Sequence, residues 1–351
     1  MGRRLSPLDR VLKLRPDSWS GGAVRVALEQ GLQAASFDRA SKAYESAVGG
    51  GMSGDSVRRI TEGEGAKILA VRAAEVEQAN AAVRPGEVHL SQRVETMRPI
   101  HDQANLSTDG VFVRIRSEGG ERGEDWKEAK ITTISKVTVS PRPADQITTH
   151  HAAHEPMISL SQHSYQATLD DANVMAHWQF AEGLRRGLLA CPVLTSVNDG
   201  APWIERITQA NFPNAVQIMD WAHAAQHVFA AAKLNWPDQP DTANAWTHPQ
   251  LNKLWNGHPF AVASALALLA SPKAAQSASY FSDNAKRMDY PRFRAQGLPI
   301  GSGCVESAAK NVIQHRLKRP CRGWRRNHAA SMIAALAELH SDRLDDIRAK
   351  L

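Results

Sequence analysis

Three acidic residues stand where their carboxylates could bind the same divalent metal ions: Asp109, Asp199 and Glu306. Each aspartate precedes a glycine beside a short apolar or alternating stretch, whereas Glu306 follows Gly301-Ser302-Gly303. Carboxylate oxygens are the ligands that Mg²⁺ prefers in proteins. Two such ions about 4 Å apart can clamp a phosphodiester and stabilise both its attacking and its leaving oxygen. The hypothesis is therefore metal-dependent phosphodiester chemistry.

Each acid also has an ordinary structural explanation. Asp-Gly is a common turn pair, and a Glu near a helix start interacts favourably with the helix dipole. Asp220 competes with Asp199 for the second position, because both follow short predicted strands. Asp220 could instead cap a helix, with His223 one turn later binding a phosphate or orienting a neighbouring acid. We expect Asp199 to be the second acid.

A basic tract follows Glu306 in the sequence. It contains no Asp or Glu, and its cations are Lys310, Arg316, Lys318, Arg319, Arg322, Arg325 and Arg326. One acid followed by such a tract fits an enzyme that acts on a polyanion, because Lys and Arg neutralise phosphates whatever the base sequence. Basic runs are also common on solvated surfaces. The prediction is that these side chains contact DNA phosphates.

The elements that must position these acids follow from hydrophobic periodicity. Alternation predicts three early strands and, after a helix, two short apolar strands separated by another helix. The strands are Thr108 to Ile115, Ala129 to Val139, one near Ser164 to Leu169, Pro192 to Val197 and Ala215 to Met219; the first helix is Asp170 to Leu189. Strands that alternate with helices favour parallel pairing.

A late helix completes this order. Ser302 is its predicted cap, and Val305, Ala308, Ala309 and Val312 form an apolar stripe that should pack inward, with Glu306 at the margin of the stripe. Three strands, helix, strand, helix, strand and a late acidic helix are typical of an α/β fold. The fold is the mixed five-stranded sheet of a ribonuclease-H-like domain.

Helical patterns flank this core. Ala23 to Val48 predicts two helices that meet near residue 36, and Ser53 is the predicted cap of a further helix ending near Val83. Helix, glycine turn and helix form the outline of a helix-turn-helix, with Arg58 and Arg59 facing DNA, although an ordinary helical hairpin fits the same pattern.

The expected segments are a lead-in (1–22), this helical region (23–98), the first part of the catalytic core (99–223), an all-helical insertion (224–296) and the final core helices with the basic tract (297–351).

Composition narrows the class of protein. The 351 residues suffice for two or three domains, and the formal charge of +6 favours a nucleic-acid partner. Cys191, Cys304 and Cys321 form no Cys-x-x-Cys pair, which argues against a zinc ribbon or a disulfide framework and for a reducing, cytoplasmic setting. The longest apolar run, around Phe260 to Ala270, is too short to span a bilayer, so no membrane partner is expected.

Four motifs in order resemble the DDE transposases of bacterial insertion sequences. They are Ser107-Thr108-Asp109-Gly110-Val111, Asn198 to Ile204, Phe212 to Ala215 leading to Asp220-Trp221-Ala222-His223, and Ile300 to Ser307. The resemblance is strongest to the Kra-type group, which is allied to the Mutator-like superfamily, and it extends from about Pro7 to the C-terminus. Arg316-Leu317-Lys318 and Gly323-Trp324 also look like the closing pattern of that family.

The resemblance implies that Asp109, Asp199 and Glu306 bind Mg²⁺, or Mn²⁺ in its place, and that Asp220 and His223 form a signature after the fifth strand. It also implies a transposase that cuts and joins transposon ends and target on double-stranded DNA, as a homo-oligomer, in the bacterial cytoplasm at the nucleoid.

One feature of the family has no counterpart in this sequence. Members often carry an upstream Cys-x-x-Cys zinc module, which would precede the segment that matches Pro7 to Leu14. Two alternatives therefore stay open beside the transposase. One is a shortened relic that binds DNA without transposing, and the other is a ribonuclease-H-like nuclease without strand transfer.

Overall fold

A five-stranded mixed sheet forms the centre of the computed structural model, which describes residues 19–81, 101–116, 124–147, 155–320 and 323–351. The strands are β1 (Gln103–Arg116), β2 (Glu124–Ser140), β3 (Met157–Thr168), β4 (Val193–Asn198) and β5 (Val216–Met219). Their order is β3-β2-β1-β4-β5; the first three are antiparallel, and β4 and β5 continue the sheet in parallel with β1. This is the strand order of a ribonuclease-H-like domain, so the predicted fold class is confirmed.

The first three strands are longer than the sequence predicted. The β1–β2 ladder runs from the pair Ala104 and Lys136 to the pair Arg116 and Glu124. Polar side chains fill its interior half, where Asn105, Ser107, Thr108, Thr132 and Thr133 are buried. Alternation of apolar and polar residues cannot reveal a strand that is polar on both faces, which is why the predicted β1 began too late.

Two apolar clusters cover opposite faces of the sheet. On one face, Val111, Val113 and Ile131 pack against the late helix α12 (Gly303–Ala308), and Val305, Ala308, Ala309 and Val312 are buried there. The predicted inward stripe is therefore confirmed. On the other face, Leu106 and Ile134 pack with side chains of α4 (Ala172–Arg185) and of the segment that follows α5 (Pro202–Asn211).

The late helix does not stop at Ala308. It continues as a π-helical segment, Ala309–Gln314, and a final turn, α13 (His315–Leu317). Two further helices, α14 (Arg326–His340) and α15 (Leu344–Arg348), complete the chain. α14 packs against the N-terminal helix Gly54–Ala81 and against β3, so the C-terminal region links the sheet to the N-terminal helices.

Within the described residues before the sheet, the helices are α1 (Gly21–Gln33), α2 (Phe37–Val48) and α3 (Gly54–Ala81). The predicted break between the first two is confirmed, and Ser36 caps α2 by accepting the Arg39 N–H. The predicted cap of α3 is also present, since Ser53 Oγ accepts the Ser56 N–H at 3.1 Å. The predicted lead-in up to residue 18 and the predicted end of α3 near Val83 lie outside the described residues.

Six helices lie between β5 and α12, where the all-helical insertion was expected. They are α6 (Trp221–Asn235), α7 (Pro240–Trp255), α8 (Pro259–Ala267), α9 (Pro272–Ala275), α10 (Ser277–Asp283) and α11 (Tyr290–Ala295). Their apolar side chains share one cluster with Val197 of β4 and with Ile218 and Met219 of β5. The insertion therefore packs directly against the parallel edge of the sheet. No helix in the described part of the chain is both long and apolar enough to cross a membrane.

Candidate active site

The two aspartates lie just beyond the point where backbone pairing between β1 and β4 ends. Backbone pairing between these strands ends at Leu106 and Ser196. The side chain of Asn198 extends it, because Asn198 Oδ1 accepts the Thr108 N–H at 2.7 Å. The next residue along each chain is a predicted acid, Asp109 on β1 and Asp199 after β4. Asn198 thus holds the backbones that carry both carboxylates side by side.

Asp109 is the centre of a negatively charged site. Burial raises the pKa of Asp109 to about 6, the hydrogen bond from the Gly110 N–H opposes this increase, and the charges of Asp199, Glu306 and Glu128 reinforce it. The three predicted acids therefore share one electrostatic neighbourhood, although they come from a strand centre, a strand end and a helix. Such repulsion between carboxylates favours the uptake of a cation.

Asp220 connects the helix that carries Glu306 to the sheet. Asp220 Oδ1 accepts the Ala222 and His223 N–H groups and caps α6, as the alternative explanation of this residue predicted. Asp220 Oδ2 accepts the Ser302 N–H at 2.7 Å and a short hydrogen bond from the Ser302 hydroxyl. The predicted capping of α12 by the Ser302 side chain is wrong, because that hydroxyl is directed to Asp220. Asp220 therefore fixes the start of the helix on which Glu306 is exposed.

The acids are coupled by charge but do not form a ready metal site. Among the described residues, no three His, Cys, Asp or Glu side chains stand close enough together to hold an ion. The two observations are compatible, since charges act over longer distances than a Mg²⁺–oxygen bond of about 2.0–2.1 Å. The donor set, three carboxylates, is that of a hard divalent cation. The residues fit Mg²⁺ or Mn²⁺ in their chemistry.

Glu128 is a fourth acid at this site that the sequence did not indicate. It lies in the middle of β2, and a Cβ atom added to Gly110 would collide with its carboxylate. Lys130 Nζ binds Glu128 Oε2 at 2.7 Å and lies 5.4 Å from the centroid of the Trp203 ring. Only the β1–β2 register places Glu128 beside Asp109, so no local motif could have identified it.

The helical insertion reaches the second aspartate through Tyr280. The Tyr280 hydroxyl lies 3.4 Å from the carbonyl oxygen of Asp199 and donates to Met219 Sδ at 3.0 Å. Its ring stacks on His227 at 3.9 Å between centroids, and His227 in turn contacts His223 edge to face. Burial lowers the pKa of His227, and His223 lowers it further. This aromatic wall beside Asp199 was not predicted, since Tyr280 is distant in the sequence.

The basic tract divides into exposed and buried cations. Lys310, Lys318 and Arg325 are exposed, and Arg319 is partly exposed. Arg326 is also partly exposed and pairs with Asp170 at 2.7 Å. Arg322 lies outside the described residues. The phosphate contacts predicted for the others remain predictions.

The predicted phosphate contact of Arg316 is wrong. Its side chain is 1% exposed and donates from Nε to the Gly31 carbonyl oxygen at 2.9 Å. The guanidinium lies 4.5 Å from the Phe37 ring centroid and 5.0 Å from that of Trp324, so two cation–π contacts accompany its burial. Arg316 joins α1 and the start of α2 to the late helix.

The arginines of the predicted helix-turn-helix are engaged with acids of their own helix. Arg58 pairs with Asp55 at 2.6 Å and with Glu62 at 2.9 Å, and Arg59 pairs with Asp55 at 3.1 Å. Both side chains are exposed, as predicted. Because phosphates would have to compete with these carboxylates, the pairs weaken the positive potential that α3 offers to DNA. DNA contact by Arg58 and Arg59 remains a prediction.

Comparison with known proteins yields a distant structural likeness. No protein-family model matches the sequence, and no curated protein matches it. Among solved structures, the Drosophila P element transposase strand transfer complex matches with a TM-score of 0.28 and 10% sequence identity, over 97% of this chain and 83% of the other. A TM-score this low carries no argument, and the fold class rests on the strand order.

Proposed function

We propose that this protein is a divalent-metal-dependent DNA transposase of the DDE type. The observation that carries the proposal is the hydrogen bond from the Thr108 N–H to Asn198 Oδ1, which holds the backbones of Asp109 and Asp199 together. The bond from the Ser302 N–H to Asp220 anchors the start of the helix that carries Glu306. The ribonuclease-H-like strand order supports it, because that order places the end of β4 beside the central strand β1 that carries Asp109. The resemblance of four sequence motifs to Kra-type insertion-sequence transposases supports the narrower assignment.

Asp109, Asp199 and Glu306 would hold Mg²⁺, or Mn²⁺ in its place. The metal would supply Lewis-acid activation of a phosphodiester and stabilisation of its attacking and leaving oxygens. Other side chains orient the acids: Asn198 aligns the backbones of the two aspartates, and Asp220 fixes the start of α12. This division of labour is typical of metal sites, where outer hydrogen bonds determine how the ligands are presented.

The exposed cations of the basic tract would hold the DNA. Lys310, Lys318 and Arg325 are placed on or just after the helix that carries Glu306. Contacts of this kind give affinity without sequence choice. The proposed partners are double-stranded transposon ends and target DNA, and the proposed assembly is a homo-oligomer in the bacterial cytoplasm; both come from the family resemblance.

The proposal is tested by nicking of supercoiled plasmid in Mg²⁺, Mn²⁺ or EDTA. Wild-type protein should nick in either metal, and Glu306→Gln should lower the rate on the order of a thousandfold, since a bound metal contributes several kcal/mol to the transition state. Asp345→Asn is the control, because that exposed acid pairs with Arg25 on the surface. It should nick like the wild type.

Strand transfer with pre-cut ends separates the remaining functions. Joining of a labelled 3′ end to plasmid supports the transposase, and nicking without joining supports a nuclease of the same fold. DNA binding with no nicking in any metal would identify a binding-only relic. Undiminished nicking by Glu306→Gln would remove this residue from the site and contradict the proposed mechanism.

A further inference from the structure

The far end of the β1–β2 hairpin has one covered and one open face. Val111, Val113 and Ile115 point into the core beneath α12 and α14. Because side chains alternate along a strand, Phe112, Arg114 and Arg116 point the other way. The register places Trp126 directly opposite Arg114 and Glu128 opposite Phe112, so these side chains share the open face.

Two large aromatic side chains are exposed on this face. Phe112 is 54% exposed and Trp126 is 53% exposed. Exposed rings on a sheet are costly in water unless a partner covers them. Lys318 Nζ lies 5.9 Å from the centroid of the Trp126 ring, so a cation already stands beside one of them.

Cations surround the two rings. Arg116, Lys318 and Arg325 are exposed, and Arg114 is partly exposed. The segment from 323 to 325 lies along β1, because the Arg116 N–H donates to the Trp324 carbonyl oxygen at 2.8 Å and the Trp324 N–H donates to that of Arg114 at 3.0 Å. Trp324 packs on the core, and the exposed Arg325 that follows it lines a cavity beside Arg116.

Gly323 allows this close approach. A Cβ atom at this position would lie 3.1 Å from Cγ of Arg116, which leans across the glycine. At the same end a cavity of about 530 Å³ opens beside Arg116, Arg325, Arg58 and His328, and Glu62 is the acid in its described lining. Two cations of the face, Arg116 and Arg325, therefore also line this cavity.

By alternation Asp109 points to the covered side with Val111, so the open face adjoins the carboxylates around the edge of β1 between Asp109 and Val113, where none of the described strands pairs with that side of β1. Its near end is Glu128, whose carboxylate lies over Gly110, the residue that follows Asp109. Seven residues separate Asp109 from Arg116 on β1 (116 minus 109), which corresponds to about 23 Å of strand. At the duplex rise of 3.4 Å per nucleotide of one strand, that distance corresponds to at most about seven nucleotides, and to fewer when the strand is extended.

We propose that this surface, named here the hairpin track and formed by Phe112, Arg114, Arg116, Trp126, Lys318 and Arg325, binds the DNA strand that leads away from the carboxylates. Its cations contact the phosphates, and unpaired bases stack on Phe112 and Trp126. Stacking is the reason for preferring unpaired bases, since a paired base offers no free face to a ring. The proposal rests on the proposed function for its ligand, and it adds a second binding surface and a preference for unpaired nucleotides.

The first test measures binding without catalysis, by fluorescence anisotropy in EDTA. The probes are a labelled duplex and the same duplex with a single-stranded extension of about seven nucleotides, the length set by the track. Phe112→Ala with Trp126→Ala should weaken binding of the extended probe about tenfold or more and change duplex binding less than about twofold. Trp126→Phe alone should keep most of the affinity, because a ring remains.

Phe260→Ala is the matched aromatic control, since Phe260 is 64% exposed on α8, in the insertion. It should bind both probes like the wild type. Circular dichroism checks that the track variants fold, which is expected because the replaced rings lie on the surface.

The second test concerns charge. Arg116→Gln, Lys318→Gln and Arg325→Gln together should weaken binding of both probes and reduce the slope of log affinity against log salt by up to about 2. Lys273→Gln, at an exposed position of the insertion, is the charge control and should leave the slope unchanged.

Several outcomes would contradict the proposal that the hairpin track binds DNA. Wild-type affinity of the aromatic double variant for the extended probe would do so, as would a preference for an RNA extension over DNA. A DNA-independent dimer that dissociates when the two rings are removed would show that a second copy, not DNA, covers this face. These results are distinguishable from failure of the proposed function, in which Glu306→Gln would nick normally or the wild-type protein would bind no DNA.

Discussion

Two groups of carboxylates in this molecule have opposite electrostatic settings. At the candidate active site, Asp109 is surrounded by other acids and its pKa is raised to about 6, by burial first and by Asp199 and Glu306 thereafter. Beneath α3 and α14, Glu182 is completely buried, yet its pKa is lowered to about 2. Burial alone would raise the pKa of Glu182, but a hydrogen bond from Arg185 and the charges of Arg343 and Arg185 outweigh it.

The second group is neutralised within the fold. Arg343 pairs with Glu182 at 3.3 Å and with Glu338 at 2.9 Å, and Arg72 of α3 reaches Glu338 at 3.0 Å. Gln166 of β3 donates to both acids. Three helices and a strand therefore meet at two acids whose charges the chain itself balances.

The contrast separates acids that stabilise the fold from acids that we propose bind a divalent cation. A buried carboxylate that is matched by arginines has no remaining demand for a cation. The carboxylates at the end of β4 are opposed by one described lysine nearby, Lys130, which is committed to Glu128. Charge balance, and not the number of acids, thus distinguishes the proposed metal site from the structural acids.

The largest expected effect tests which aspartate belongs to the unbalanced group. Asp199→Asn should lose Mg²⁺-dependent nicking on the order of a thousandfold. Asp220→Asn should lose about 10- to 100-fold, because it weakens the connection to Ser302 without removing a ligand. Nicking rates and Mn²⁺ binding by calorimetry, measured side by side, check both. If Asp220→Asn folds but binds no Mn²⁺ while Asp199→Asn still cuts, the two assignments must be exchanged.

The next effect concerns the balanced group. Glu182→Gln should destabilise the protein by about 3–5 kcal/mol, because Arg185 and Arg343 would lose a buried partner. Urea unfolding measures it. Nicking at low temperature should persist, since Glu182 stabilises packing and lies outside the candidate site. An unchanged unfolding midpoint would mean that water, not Glu182, balances these arginines.

As pH falls, the two groups should change the free energy of unfolding in opposite directions. In EDTA, Asp109 has a folded pKa of about 6 against an ordinary value of 3.8, so the unfolding free energy should rise by up to about 3 kcal/mol as pH falls from 7 towards 4. Glu182 has a folded pKa of about 2 against 4.5, so its contribution is present above pH 4.5 and is lost as pH falls towards 2.

Urea titrations at successive pH values test this prediction. Asp109→Asn should abolish the rise between pH 7 and 4 and keep the loss below 4.5. Mg²⁺ should reduce the rise in the wild type, because a bound cation stabilises the ionised form of Asp109. A monotonic fall of stability from pH 7 downwards, identical in both proteins, would show that Asp109 titrates normally.

The smallest expected effect comes from a surface pair. Arg25 binds Asp345 at 2.7 Å, but both side chains are largely exposed. Asp345→Asn should change the unfolding free energy far less than Glu182→Gln does, because solvent screens an exposed ion pair. Comparison with Glu182→Gln in one urea series shows how much burial, and not ion pairing as such, determines the cost. A loss as large as that of Glu182→Gln would refute this distinction.

The sequence by itself determined the elements and the positions of the three acids. Alternation and the 3.6-residue period are local properties, so they predicted β1, the apolar stripe of α12 and the order of strands and helices. The motifs around Asp109, Asp199 and Glu306 are equally local, because each is a short run of neighbouring residues, although Asp109 lies within β1 and not at the strand start that the sequence indicated. The three acids could therefore be predicted without knowledge of any tertiary contact.

Only the tertiary structure decided which charges are buried and which residues meet. Arg316 and Lys318 are two residues apart in one basic tract, yet the first is inserted between Phe37 and Trp324 and the second is exposed. Glu128 reaches Asp109 through strand register, and Asp220 reaches Ser302 across the insertion. The physical reason is that burial and charge balance depend on packing between distant segments, whereas periodicity records only which side of its own element a residue occupies.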